Sequence, residues 1–226
     1  MRILAVAAEP IELRGVLRHG RGVRKEPWPA VFARSAEVRG NRWLMVAEGP
    51  GPKLARKAIE AVGGETWDAV LSTGLCGALD PSLVLYEVIA AERVNSFPAM
   101  LPQTGRPFRR ATLYSSDRFV GRTEEKRRLL ATGAQAADME AAAVAEFAAA
   151  RELPFFCVRV VSDTAGEEAR IDYNAMRDDE GRFDRARLAV EACRHPFSAA
   201  PELIGWLRRA YIASGRLGDF LADCRF

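Results

Sequence analysis

The sequence predicts an α/β fold, in which a central mixed, mainly parallel, twisted sheet is flanked by helices. Short apolar runs alternate with helix-like segments through the first 166 residues, and such alternation is typical of sheets with parallel strands. The runs are apolar throughout, as expected of strands that helices cover on both faces. A hydrophobic content of 49% with 28% charged residues is that of a globular chain able to build such a core.

Six apolar runs are predicted strands. The most apolar is PFFCVRVVSD at 154–163, and RILAVAA at 2–8 is the first along the chain. The other four lie at 42–49, 68–74, 86–94 and 111–117. Three prolines and no clear periodicity over residues 95–110 indicate an exposed loop.

Five segments have helical patterns. The segments at 10–18 and 51–64 carry proline in their first turn, and glycines follow the second. A third helix spans about Asp138 to Arg151. After Gly166 the chain is polar and indicates a loop, until two helical patterns follow at 185–195 and 201–224. We therefore predict a single domain over 1–226 with a helical C-terminal extension at about 182–226.

The charge and cysteine patterns exclude several classes of protein. The net charge is only +3, and outside the C-terminal tail no basic face with interleaved aromatics indicates nucleic-acid binding. The four cysteines form no C-x-x-C pair, which argues against a zinc site and a disulfide framework. Glu9 and Glu12 interrupt any signal-peptide core, and no apolar run approaches the ~18 residues of a membrane span. A reduced, cytoplasmic protein without a metal site is expected.

One acid lies where it should destabilise its own helix. In AADMEAAAVAEF (136–147), a helix would place Glu140 on the same apolar face as Val144 and Phe147. A buried carboxylate without a partner costs several kcal/mol or shifts its pKa. Either a basic residue such as Arg159 pairs with Glu140, or a polar ligand does.

Three acids are predicted to meet at one edge of the sheet, because ligands of open α/β sheets bind outside the carboxyl ends of the strands. Glu12 follows the first strand, Asp163 ends the most apolar strand and Glu140 begins the alanine-rich helix. The segment STGLCGALDP (72–81) predicts a glycine-bearing turn that lets the backbone approach a small ligand.

Each of these features has a structural alternative. Glu12 could be a first-turn acid favoured by the helix dipole, and Asp163 could cap a helix that begins in SDTAGEE. Met139 and Phe119 would ordinarily be core residues, and most glycine turns bind nothing.

Together, the motifs resemble those of a known family. The segment ADMEAAAVAEFAAARELPFFCVRVVSDTA resembles the signature of the purine nucleoside phosphorylase and methylthioadenosine/adenosylhomocysteine nucleosidase superfamily, with its Met-Glu pair and its strand ending in Ser-Asp. MRILAVAAEPIEL, EGPGPKLARKAI, DAVLSTGLCGALDP and YSSDRFV follow the family's order and spacing over roughly residues 1–166. The resemblance implies a nucleoside phosphorylase-like fold and an enzyme that cleaves the N-glycosidic bond of an adenine-type, 5′-modified purine nucleoside.

The resemblance also implies three catalytic residues. Asp163, oriented by Ser162, would donate a proton to N7 of the base, and burial at the end of an apolar strand should help it hold that proton near neutral pH. Glu12 would be the general base for an attacking water, and Glu140 would accept hydrogen bonds from the ribose hydroxyls. Acid and base on opposite sides suit cleavage through an oxocarbenium-like state. The implied substrate-binding residues are Met139 beneath the sugar, Phe119 and Val120 at the base, Ser162, and Gly74, Leu75 and Cys76 of the glycine segment.

Water is the favoured nucleophile, because a phosphate cradle needs arginine forks and further donors. Hexameric phosphorylases of the family read Arg-Val-Gly-Ser-Cys-Gly where residues 72–77 here read STGLCG, so the arginine and the serine are both replaced. Glu12 matches the nucleosidase pattern, whereas Leu75 departs from the serine that nucleosidases carry.

A second resemblance gives an alternative. GLCGALDP and the residues after Gly166 resemble hopanoid-associated phosphorylases, which implies a phosphate-dependent enzyme that releases adenine from an adenosyl-hopanoid lipid, with phosphate as co-substrate. Arginines interspersed with the apolar side chains Leu203, Trp206, Leu207, Ile212 and Leu217 would suit peripheral membrane contact through the last helix. The same helix could instead dock on the core or contact another subunit.

The family resemblance also implies which molecules the chain binds. The family implies a small-molecule nucleoside substrate, no metal or organic cofactor, and a homo-oligomer whose neighbour lends the 95–110 loop to the site. A non-catalytic nucleoside-binding protein is the third alternative, although a binder has no need for a proton donor at the base.

Overall fold

The computed structural model describes residues 1–62 and 64–226. Gly63, which belongs to the predicted helical segment at 51–64, lies outside the described residues. The strands are β1 (Arg2–Ala7), β2 (Arg21–Lys25), β3 (Phe32–Val38), β4 (Asn41–Ala47), β5 (Ala69–Ala78), β6 (Val88–Val94), β7 (Phe97–Pro98), β8 (Arg109–Ser115), β9 (Ala136–Asp138) and β10 (Phe155–Asp163). The helices are α1 (Pro10–Leu17), α2 (Pro52–Glu60), α3 (Thr123–Leu130), α4 (Ala141–Ala149), α5 (Arg185–Arg194) and α6 (Ala199–Leu221).

The strands form one mixed sheet with a parallel middle. β4, β1, β5 and β10 run parallel side by side, and β3 and β2 continue the sheet antiparallel beyond β4. From β10 the pairing passes through β6, β8 and β9 back to β5, so five strands close into a ring. β5 pairs with β1, β10 and β9 because it is ten residues long. The carboxyl ends of β1, β5 and β10 therefore meet at one edge.

Helices cover both faces of the sheet. Ile3 and Ala5 of β1 belong to a core cluster with α1 and α6, whereas Leu4 and Val6 belong to one with α2 and α4. This alternation is the period-2 pattern of a strand buried on both sides. The predicted α/β class is confirmed.

The long helix α6 packs closely on α1. Two glycines allow it, since a Cβ placed on Gly218 would lie 2.1 Å from the carbonyl carbon of Gly15. The Gly15 N–H donates to Ser214 Oγ at 2.9 Å, and Leu217 and Phe220 are buried against the sheet. The second half of α6 is therefore part of the core.

Apart from the two-residue β7, the sequence prediction lacks four elements, each for a physical reason. β2 is exposed along its whole length and polar, so no apolar run marks it. β3 mixes small and polar residues, and α3 buries only Lys126. β9 has three residues and an alanine-rich sequence, which predicts helix instead.

Two predicted boundaries are also wrong. The glycine segment after residue 74 is not a turn, because β5 continues to Ala78. The region 95–110 holds β7 and the start of β8 rather than loop alone. Within the described residues, none of the helices combines the length and the apolar composition needed to cross a bilayer.

Candidate active site

The three predicted acids line one cavity at the carboxyl ends of β1, β5 and β10. Glu12, Glu140 and Asp163 share this cavity, whose mouth is open to solvent. Six other predicted site residues border it: Leu75, Cys76, Phe119, Val120, Met139 and Ser162. Gly74 is not among the lining residues and lies behind Glu12 instead.

Glu12 lies in the first turn of α1 and is held entirely by backbone donors. Its Oε2 accepts from the N–H groups of Ala8 and Glu9, both at 2.9 Å, and its Oε1 accepts from the N–H of Leu75 at 2.9 Å. Burial raises the pKa of the Glu12 carboxyl, and the N–H groups oppose that rise by stabilising the anion. A fixed carboxylate with a raised pKa suits a general base.

Gly74 is required by the approach of β5 to Glu12. Its φ is +144°, and a Cβ at this position would lie 2.8 Å from Glu12 Oε1. We expect Gly74→Ala to lower the free energy of unfolding by about 1–3 kcal/mol, measured by urea denaturation. Gly105→Ala, whose Cβ would meet nothing within 4 Å, is the control and should stay within about 0.5 kcal/mol of wild type. Equal stability of the two variants would contradict this role of Gly74.

Glu140 precedes α4 rather than lying on its face, because the helix begins at Ala141. Glu140 Oε1 accepts the N–H of Gly51 at 2.8 Å, and no partner for Oε2 is found among the described residues. Burial, and after it the charges of Asp138 and Glu12, raise the pKa of Glu140 to about 8. The carboxyl therefore has one oxygen free for a ligand in the cavity it lines.

Arg159 does not pair with Glu140. Its guanidinium lies beneath the cavity, bonds Asp138 as a fully buried ion pair and donates to Ser72 Oγ at 2.8 Å. Asp138 also accepts the N–H of Ala141 at 2.9 Å and so caps α4. Pairing with Arg159 therefore does not explain why Glu140 faces inward. The other explanation, a polar ligand, is the one that is left of the two.

Asp163 is less enclosed than the sequence predicts. Its side chain is 22% exposed, and the next helix, α5, begins only at Arg185, so the capping alternative is wrong. Ser162 Oγ donates to Asp163 Oδ1 at 2.9 Å, and Lys126 Nζ donates to Oδ2 at 2.6 Å. A Cβ on Gly77 would lie 2.9 Å from Oδ2, so this glycine gives the carboxylate its space. Lys126 is a site residue that the sequence analysis missed.

Stability should depend on pH through Glu140. Because the folded-state pKa is about 8 and the ordinary value is 4.5, the folded protein holds a proton in this interval that the unfolded chain has lost. The free energy of unfolding should therefore fall as pH rises from about 5 to about 8. Urea denaturation across that range should show a smaller fall for Glu140→Gln than for wild type, although Glu9 and Glu12 still contribute. The control is Glu146→Gln, at a 56% exposed carboxylate of α4. It should keep the wild-type fall, and an equal fall in all three proteins would contradict the expectation.

Aromatic side chains close the cavity over the three acids. Phe119, Tyr173, Phe183 and Trp206 line it and touch in sequence, with ring centroids 5.1, 6.0 and 6.5 Å apart. The Asn174 side chain holds Phe119 in place, because it bonds both the N–H and the carbonyl of that residue. Three of the four aromatics follow Gly166: Tyr173 and Phe183 lie in a segment without periodicity, and Trp206 lies in the last helix, where the sequence predicts membrane or core contact instead of a site.

Glu9 is a second carboxylate at the cavity beside Glu12. Burial, and after it the charge of Glu12, raise its pKa to about 7, while Arg185 opposes the rise. Within the described residues, no group of three or more His, Cys, Asp or Glu side chains is arranged to hold a metal ion. The four cysteines are free.

Parts of the chain are similar in sequence to known proteins. A family model described as the phosphorylase superfamily matches residues 93–193, which include both the Met139–Glu140 and the Ser162–Asp163 pairs. This part of the chain is similar to the phosphorylase superfamily. A 5′-methylthioadenosine/S-adenosylhomocysteine nucleosidase from Staphylococcus aureus is 28% identical over 142 residues. The match covers 48% of this chain and 62% of that relative, so the chain spans less than two thirds of the relative's length.

Solved structures of nucleosidases share the fold. The nucleosidase of the same name from S. pneumoniae, with a transition-state inhibitor, has a TM-score of 0.74 at 16% identity and covers 99% of this chain and 97% of its own. The nucleosidase from Neisseria meningitidis has a TM-score of 0.70 at 19% identity, covering 98% and 97%. A futalosine hydrolase mutant from Helicobacter pylori has a TM-score of 0.59 at 18% identity, covering 75% and 91%.

Proposed function

We propose that this chain is a nucleosidase, which cleaves the N-glycosidic bond of an adenine-type, 5′-modified nucleoside with water as the nucleophile. The observation that carries the proposal is the convergence of Glu12, Glu140 and Asp163 on one cavity. Glu12 and Asp163 are more than a hundred positions apart in the sequence, yet they reach the same cavity. A protein that only stored nucleosides would not need acids on both sides of the N-glycosidic bond.

The base would lie between Phe119 and Asp163. Phe119 and Val120 supply an apolar surface for the purine, and Asp163 provides the proton for N7. Protonation at N7 gives the base a positive charge, so it takes up the electron pair of the breaking C1′–N9 bond and leaves as neutral adenine. Ser162 and Lys126 fix the orientation of the carboxyl group.

The sugar would lie over Met139 and Glu140. The free Oε2 of Glu140 can accept hydrogen bonds from ribose hydroxyls, which would compensate the buried charge of its ionised form. Met139 is 9% exposed and lines the same cavity, so it can pack against the ribose ring. This arrangement would explain why an acid precedes an otherwise apolar helix.

Water would add to C1′ from the side of Glu12. As the C1′–N9 bond breaks, positive charge develops on the ribose, and the Glu12 carboxylate takes a proton from the water as its oxygen bonds to C1′. After the reaction Asp163 lacks one proton and Glu12 carries one more. Proton exchange with solvent returns both carboxyl groups to their starting protonation states. The products are free adenine and a free sugar.

The charges around the cavity favour water over phosphate. In the part of the chain that the structure describes, Lys126 is the one cation among the lining residues, and its contacts with protein oxygens occupy it. Arg159 is committed to Asp138. A phosphate dianion would face the carboxylates of Glu9 and Glu12 without an arginine fork.

The similar proteins support the same reaction class. The S. aureus relative and the S. pneumoniae and Neisseria structures are named as 5′-methylthioadenosine/S-adenosylhomocysteine nucleosidases. We infer an apolar 5′ substituent for the substrate of this chain, because Ile11, Pro50, Phe183 and Trp206 contribute apolar walls to the cavity.

Adenine release from methylthioadenosine, with and without phosphate, tests the proposal. Release in phosphate-free buffer is the expected result and marks a nucleosidase. Release only with phosphate would mark a phosphorylase. A rise in melting temperature with the nucleoside but no adenine release would mark a nucleoside-binding protein.

An exposed apolar stripe on α6 and the residues before it favours a second candidate function. Phe197, Ile204 and Leu207 are 94%, 67% and 54% exposed, and Trp206 of the same helix lines the cavity. Of the residues first expected to face lipid, Leu203, Trp206 and Leu217 instead face the protein. The stripe would let the chain take an adenosyl-lipid, such as an adenosyl-hopanoid, from a membrane surface and release its adenine with phosphate. Co-sedimentation with anionic vesicles, lost in Ile204→Glu, would favour this candidate.

We also propose that the chain forms a homo-oligomer through the segment at 95–110. Met100 in this segment and the nearby Tyr114 are exposed apolar side chains, at 54% and 36%. Light scattering at increasing concentration tests this proposal, and a monomer at every concentration would contradict it.

A further inference from the structure

Lys126 is a buried cation in a place that disfavours one. It lies in the first turn of α3, where the helix dipole repels positive charge, and its side chain is 2% exposed. Removing an ammonium from water costs several kcal/mol unless strong partners replace the water. Its neighbours Arg127 and Arg128 on the same helix are exposed and solvated.

Three acceptors satisfy the three N–H groups of Lys126. Its Nζ donates to Asp163 Oδ2 at 2.6 Å, to the carbonyl of Thr164 at 2.8 Å and to the carbonyl of Glu167 at 3.2 Å. All three belong to the end of β10 and the segment that follows it. The three hydrogen bonds of the buried ammonium are thus all made to this one segment.

The segment is in turn tied to α6. The hydroxyl of Thr164 donates to Glu167 Oε1 at 3.0 Å, and Glu167 Oε2 pairs with Arg209. Arg209 also donates to the carbonyl of Ser162 at 3.4 Å. This framework holds the backbone of the segment, and Lys126 is the charged group that bonds the carboxylate of Asp163, to which the Ser162 hydroxyl also donates.

We propose that Lys126 is a positioning residue for proton donation to the leaving base, an inference that rests on the proposed function. When the C1′–N9 bond breaks, its electron pair goes to the purine, the proton of Asp163 goes to N7, and Asp163 becomes a carboxylate. The ammonium of Lys126 holds that carboxylate in one orientation and stabilises the charge as it forms. Because the charge develops during the step, this contact is stronger in the transition state than in the bound substrate.

Two substrates with different leaving groups separate this role from a structural one. Methylthioadenosine needs a protonated leaving group, whereas 4-nitrophenyl β-riboside releases an anion that is stable without a proton. For Lys126→Met we expect kcat on methylthioadenosine to fall about 10²-fold or more, with KM changed less than about threefold. Cleavage of the nitrophenyl riboside should change less than about threefold. Lys126→Arg keeps the charge and should recover about tenfold or more over Lys126→Met.

The controls distinguish the possible failures. Arg127→Met, at the adjacent exposed position, should match wild type on both substrates. If Lys126→Met does not fold, Lys126→Gln replaces it, because Gln keeps amide donors but carries no charge. Equal loss on both substrates, in a variant that melts like wild type, would overturn the inference and leave the proposed function standing. A wild-type protein that cleaves neither substrate would overturn both.

Discussion

Replacing Asp163 by asparagine is expected to reduce kcat for adenine release from methylthioadenosine about 10³-fold, within the range that general acids contribute. Asparagine has the same shape, but its amide cannot transfer a proton to N7. The side-chain carbonyl oxygen of the new asparagine can still accept a hydrogen bond from Lys126 or Ser162, so the asparagine should stay near the position of Asp163. Initial rates on methylthioadenosine and on 4-nitrophenyl β-riboside measure the effect. The nitrophenyl substrate should be cleaved within about tenfold of wild type, because its leaving group needs no proton.

The control for this variant is Asp117→Asn, at an exposed carboxylate of the nearby 116–118 segment. It should not change either rate. The melting temperature of Asp163→Asn must also be measured, because an ammonium left without its carboxylate destabilises the fold by about 3–5 kcal/mol. A folded Asp163→Asn protein that releases adenine at the wild-type rate would contradict the assignment of Asp163 as the acid.

Replacing Glu12 by glutamine is expected to reduce both reactions, again by about 10³-fold. Glu12 would activate the water, and every substrate needs that water whatever its leaving group. Three backbone N–H groups converge on the two oxygens of Glu12. Glutamine offers one carbonyl oxygen, so its NH₂ must face at least one N–H, which costs about 1–3 kcal/mol of stability.

Kinetics on the two substrates and urea denaturation measure these effects of Glu12→Gln. Glu60→Gln, at an exposed position at the end of α2, is the control and should match wild type in both measurements. A Glu12→Gln protein that loses activity on methylthioadenosine alone would place Glu12 on the leaving-group side and contradict its assignment as the base.

The sequence predicts where the acids lie in the fold best where the strands are apolar and continuous. Glu12 and Asp163 were located by the rule that ligands bind at the carboxyl ends of strands, and the structure places both there. Glu140 was located because an acid interrupts an apolar pattern, although it precedes the helix instead of lying within it.

Residues that act through long-range contacts could not be predicted in this way. Lys126 lies in a polar helix where the local sequence TEEKRRLL indicates an exposed surface, and only the tertiary fold brings it to Asp163. Tyr173 and Phe183 follow the last predicted strand in a segment without periodicity. A single buried side chain in a polar helix leaves no pattern in the sequence, because periodicity needs several residues on one face.

The most direct test of convergence on one nucleoside is a crystal structure with an iminoribitol mimic of the oxocarbenium ion that carries an adenine-like base. We expect the ring nitrogen equivalent to N7 to lie within about 3 Å of the Asp163 carboxylate, ribose-like hydroxyls to donate to Glu140 Oε2, and a water to bond Glu12. A mimic bound elsewhere, or bound here with its hydroxyls directed away from Glu140 and its base away from Asp163, would contradict the account.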